Sequence, residues 1–198
     1  MSATHYDGWH FSTGVLAHGD GRPIVAGETH AVDGAIVACE RGLHASAKAL
    51  DALGYVSNPT HIARVRLSGD ITVQGDKAVA RTRVYLDVAE LPTWFLHEFA
   101  CRCAEAALMI ANVDTGASWN AIHVKREWLA GRASDSERAA ARAAAGDAAR
   151  AAAGDAARDA AGDAAGDAAW DAAWDAARAA ARDEINQLLE DMLMEVLA

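Results

Sequence analysis

Apolar and polar residues alternate through His61-Ile62-Ala63-Arg64-Val65-Arg66-Leu67, the period of a strand with one buried face. Val79 to Val88 alternates in the same way and predicts one further strand. Shorter pieces of this kind are Gly8-Trp9-His10-Phe11-Ser12, Pro23 to Ala26, Thr29 to Val32, Ala35 to Cys39 and Ile71 to Val73. In the first of them Trp9 and Phe11 share one face and His10 takes the other. Turn-forming clusters lie between the pieces: His18-Gly19-Asp20-Gly21-Arg22-Pro23, Asp33-Gly34, Ser57-Asn58-Pro59-Thr60, Ser68-Gly69-Asp70 and Gly75-Asp76-Lys77. Roughly six or seven short strands suffice for a curved sheet or two small packed sheets.

Helical patterns interrupt and follow the strands. Ile36, Val37 and Ala38 run toward Gly42, after which Ser46 is a candidate N-cap for a short helix ended by Gly54. That junction turns His44 and the first helical N–H groups toward one region, where polar ligands and anions are commonly held. Pro92 and Thr93 open a longer helix whose Phe95, Phe99, Cys103, Ala106 and Ile110 form an apolar face for packing on the sheet. Ser118 is expected to cap a second helix that carries Trp119, Ile122 and Leu129.

The remainder has a different rhythm. Ser134-Asp135-Ser136-Glu137 has the form of a capping box. From Arg138 a four-residue unit repeats, with Arg, Gly or Trp first, usually Asp second and Ala in the last two places. Ala is the strongest helix former, so helix is predicted despite interspersed glycines that cost about 1 kcal/mol each. Four residues turn through roughly 400°, so the ridge of first positions winds around the axis and no fixed seam results. From Ile185 the pattern becomes an amphipathic stripe of Ile185, Leu188, Leu189, Met192, Leu193 and Val196. The stripe predicts a homo-oligomer joined through these residues, with folding back on the same chain as the alternative.

The predicted class is therefore α+β: a small curved antiparallel sheet with one or two packed helices, followed by a long Ala-rich α-helical tail. The front domain is placed at residues 1–130 and the repeat helix at 134–198, with its amphipathic segment at 185–197. Charge divides unevenly between them. The chain carries a formal −10, of which −8 lies after Ala133. No basic stripe is present, which argues against nucleic acid and anionic membrane as partners. Three cysteines without framework spacing, and no apolar leader or span, point to the cytoplasm.

Candidate chemistry centres on two His-x-Ser units, His10 with Ser12 and His44 with Ser46. A histidine from each of two neighbouring elements can grip ribose hydroxyls or a phosphate, its ring nitrogens acting as donor or acceptor. Arg22 and Lys77 follow Gly-Asp turns and add cations for the same purpose. His97, Cys101, Cys103 and Cys39 lack the paired spacing of a zinc site, so no metal and no cofactor is expected. No Ser-His-Asp, Cys-His or paired-carboxylate set can be assigned, and no catalytic residue is named.

Trp9-His10-Phe11, Gly19-Asp20-Gly21-Arg22, Gly27-Glu28-Thr29, Cys39 to Ser46 and Gly75 to Ala80 together resemble an uncharacterised module of phage and prophage proteins that often precedes a repeat-rich tail. More distantly, the His-bearing first strand and the Gly42-Leu43-His44-Ala45-Ser46 strand are similar to the His-His branch of the ADP-ribosyltransferase-like folds. That second likeness implies contacts from His10 and His44 to the nicotinamide-side ribose of an NAD-like ligand. No catalytic Glu matches, Glu90 and Glu98 being merely nearby in sequence. The leading expectation is a phage-type accessory protein of the bacterial cytoplasm that binds or sequesters a nucleotide-like small molecule. A structural adaptor without a ligand, and an ADP-ribosyltransferase-like enzyme, are the second and third readings.

Overall fold

A computed structural model describes residues 5–16, 21–38, 40–110, 112–113, 116–160 and 167–198, with backbone alone over 149–160 and 167–179. The chain divides into two compact units, Met1–Thr93 with Asp183–Ala198, and Trp94–Arg182.

The first unit contains β1 (Tyr6–Ser12), β2 (Thr29–Ala31), β3 (Leu43–Ala45), α1 (Ala49–Leu53), β4 (His61–Ser68), β5 (Thr72–Gln74), β6 (Lys77–Ala80) and β7 (Thr82–Glu90). All pairings are antiparallel, in two open sheets ordered β1-β4-β7-β2 and β3-β6-β5. Of the two arrangements that the strand count allows, a single curved sheet or two small sheets, the second is found. The reason lies at Arg81, which breaks the predicted Val79–Val88 strand into β6 and β7. Its N–H donates to Gly69 O at 2.8 Å, and its guanidinium donates to Asp70 and to Gly34 O, so the chain leaves one sheet and enters the other there. Ala63, Val65, Leu67 and Tyr85 from the larger sheet meet Ala45, Ala78 and Ala80 from the smaller, and Ile24 completes this core. Trp9 and Ser46 exchange backbone hydrogen bonds of 2.8 and 3.2 Å, which join β1 to the end of β3.

Several local expectations change. Pro23 and Val37 make single bridges to Val15 and Arg41 instead of opening strands, and the strand of this region is β3, beyond Gly42. Ser46 is 1% exposed and is not the N-cap of α1. The N-cap of α1 is Lys48, whose side chain makes no capping bond. Capping comes instead from the far end of the chain, where Asn186 Oδ1 and Glu190 Oε1 accept the N–H groups of Leu50 and Ala49 at 3.0 and 3.1 Å. Lys48 also pairs with Asp183. A five-residue helix forms one hydrogen-bonded turn at best and is unstable alone, so this distant capping is what holds it.

The second unit holds α2 (Phe95–Ile110), α3 (Ala117–Leu129), α4 (Asp135–Ala160) and the start of α5 (Asp167–Leu197), whose last residues belong to the first unit. The predicted boundary at 130/134 thus falls inside a unit. The helix expected to close the sheet groups with α3, and its outer end is bare, Ile110 being 66% exposed. Glu98 and Glu105 on α2 grip Arg126 on α3, with Glu98 Oε1 accepting from Arg126 at 2.8 Å. Those N–H donors hold the Glu98 carboxyl below its ordinary range. Gly116, not Ser118, precedes α3 as its N-cap. The capping box forms as its residues predict: Ser134 N donates to Glu137 Oε2 at 2.8 Å, and Glu137 N donates to Ser134 Oγ at 3.2 Å. Whether α4 and α5 form one rod depends on 161–166, which lie outside the described residues.

Half of the stripe expected to join copies is covered within the first unit. Leu189 and Leu193 are fully buried and Met192 nearly so, with Asn186 and Glu190 beside them on the helix and bound to α1. Ile185, Leu188 and Val196 are half-buried. Among the described residues no helix is long and apolar enough to cross a membrane.

Candidate functional site

β1, β3 and β7 converge on a cavity of about 730 Å³. His10, Phe11 and Ser12 line it from β1, His10 alternating with the buried Trp9 and Phe11 along the strand. Leu43 and His44 reach it from β3, and Arg83 from β7. Arg22, Glu40, Arg41 and Tyr55 line its loop-built walls.

Arg83 dominates the chemistry. It is 2% exposed, and the N–H groups of its guanidinium go to neutral acceptors: Nε and Nη2 to Tyr85 Oη at 3.0 and 2.5 Å, Nη1 to His44 O at 2.8 Å. His10 Nδ1 lies 3.2 Å from Nη1. A guanidinium has no lone pair to offer, so His10 Nδ1 accepts and the ring proton sits on Nε2. Tyr85 Oη, already accepting from Arg83, gives its own proton to His30 Nδ1 at 3.2 Å. No carboxylate among the described residues pairs with Arg83. Burial pushes the Arg83 pKa below its ordinary value. Buried arginines are nearly always paired, because desolvating a charge costs several kcal/mol.

His10 is held neutral. Burial lowers its pKa well below the ordinary 6.5, and the Arg83 charge adds to that effect. Burial and then the Lys77 charge lower His44 as well. His44 Nε2 is buried and has no hydrogen-bond partner among the described residues. The sign of the His10 effect fixes a pH dependence. The unfolded chain takes up this proton near pH 6.5 and the folded chain only well below it. The contribution to stability is therefore complete above that value and is lost as pH falls through the window beneath it. Thermal melts of the wild type and His10→Gln are expected to diverge in slope between about pH 6.5 and pH 5. Parallel curves would refute the assignment.

Of the residues singled out from sequence, His10, Ser12, Arg22 and His44 line the cavity. Ser46 and Lys77 do not: Ser46 is spent in the junction of the sheets, and Lys77 Nζ sits 4.4 Å from the Tyr55 ring centroid. The amides of α1, expected to face the ligand, are taken by Asn186 and Glu190. Sequence reasoning missed Arg83, Tyr85 and His30. Alternation in β7 offers Val84, Leu86 and Val88 as the buried face, yet Arg83 and Tyr85 are buried and Leu86 is 39% exposed. A bulge accounts for this. Arg64 pairs with Asp87 and Val65 with Tyr85, so Leu86 is an extra residue and the parity of β7 changes there.

A family model described as a domain of unknown function (DUF7666) matches residues 23–97. The matched span includes β2 to β7, hence His30, His44, Arg83 and Tyr85, whereas β1 with His10 and Ser12 precedes it. No curated protein and no solved structure matches the chain.

Proposed function

We propose that this chain is a phage-type accessory protein of the bacterial cytoplasm that binds a nucleotide-like small molecule in the cavity between β1, β3 and β7, without turning it over. The observation that carries the reading is Arg83, a buried cation on the cavity wall with neutral partners throughout. Among the described residues the lining also holds Arg22, Arg41 and Glu40. The cavity volume lies within the range of small-molecule sites. Glu90 and Glu98, the acids that an ADP-ribosyl transfer reading would recruit, are not in the lining.

Differential scanning fluorimetry with a panel of mononucleotides, cyclic nucleotides and NAD tests the reading. A ligand that binds the folded state alone stabilises by about 2.7 kcal/mol at a hundredfold excess over Kd. A nucleotide-dependent rise in melting temperature that His44→Ala abolishes is expected. A flat response across the panel would favour the adaptor reading.

A further inference from the structure

We infer that the ligand is a phosphomonoester, seated with its dianionic end beside Arg83 and hydrogen-bonded to His10 Nε2 and His44 Nε2. The inference rests on the nucleotide-like reading and specifies which end of the ligand is recognised.

Three observations lead to it. The first is the uncompensated guanidinium. Arg83 is turned so that its N–H groups are spread over Tyr85 Oη, His44 O and His10 Nδ1, which fixes its plane before any ligand arrives. The charge that remains is compensated best by an anion in the cavity that Arg83 lines. The second is the state of the two histidines. Arg83 forces the His10 proton onto Nε2, so that atom is a donor, and His44 Nε2 is a buried polar atom without a partner among the described residues. Two ring nitrogens flanking a buried cation suit the oxygens of a tetrahedral oxyanion, whereas a neutral ribose or base leaves the charge unmatched. The third is the number of groups that converge: Arg83, His10 Nε2 and His44 Nε2 are three, and a phosphomonoester has three terminal oxygens to meet them where a diester has two. The volume of about 730 Å³ leaves room for a nucleoside beyond the phosphoryl group, with the Tyr55 ring on the wall.

Isothermal titration calorimetry of the full chain at neutral pH with AMP, cyclic AMP, adenosine and inorganic phosphate separates the possibilities. AMP is expected to bind at least about tenfold more tightly than cyclic AMP and about a hundredfold more tightly than adenosine, with phosphate competing. Arg83→Gln is expected to erase the preference for AMP over adenosine. Because Arg83 is buried, His44→Gln serves as the second variant, with a loss of about tenfold in AMP affinity and a retained thermal transition. Adenosine binding within about threefold of AMP would overturn the phosphoryl anchor and leave the nucleotide reading standing. Failure of AMP, cyclic AMP and adenosine alike, with phosphate still bound, would overturn the nucleotide reading and keep the anion site. No binding of any of the four would overturn both.

Discussion

Leu189→Asp with Leu193→Asp is expected to abolish the cooperative thermal transition of the unit that holds both sheets. Each leucine is fully buried, and each substitution removes a large apolar side chain and puts a carboxylate in its place. Large-to-small changes at such sites cost about 3 kcal/mol before the polar penalty is counted. Two of them exceed about 5 kcal/mol, the lower bound of ordinary domain stability. The damage reaches the cavity through α1. Asn186 and Glu190 cap that helix from the same segment, and the chain leaving α1 supplies Tyr55, Val56 and Ser57 to the cavity wall. Circular dichroism melts and light scattering of wild type and variant decide the matter. A folded variant of lower mass would restore the self-associating stripe. Loss of the transition supports a segment that completes its own front unit.

Gly42→Ala carries the second large effect. Gly42 has φ of +149°, a conformation that side chains disfavour, and a Cβ there would lie 2.2 Å from Val79 Cγ2. Val79 is 2% exposed on β6, directly paired with β3, so it has little room to yield. Overpacking with backbone strain amounts to about 2–4 kcal/mol, a fall of roughly 10–20 °C in melting temperature for a domain of this size. Because Gly42 lines the cavity two residues before His44, ligand response should fall with it. Val79→Ala in the same chain removes the clash and should recover part of the loss. An unchanged melting temperature in the single variant would show that β3 is not seated as described.

The sequence by itself determined the features that rest on neighbours along the chain. Alternation in His61–Leu67 set β4, and the same parity put Trp9 and Phe11 in the core and His10 toward the cavity. The capping box at Ser134–Glu137 formed because both partners of each hydrogen bond lie within four residues. What the tertiary structure alone decided rests on residues far apart in the chain. The cap of α1 lies about 140 positions away, at Asn186 and Glu190, so the local candidate Ser46 was free to serve as a sheet junction. The apolar stripe after Ile185 is the same in sequence whether its partner is a second copy or the chain's own first unit, since burial has no preferred direction. Arg83 was hidden for a related reason. A bulge against Arg64 and Val65 shifted the parity of β7, and a pattern of period two cannot reveal an extra residue that only the pairing strand defines.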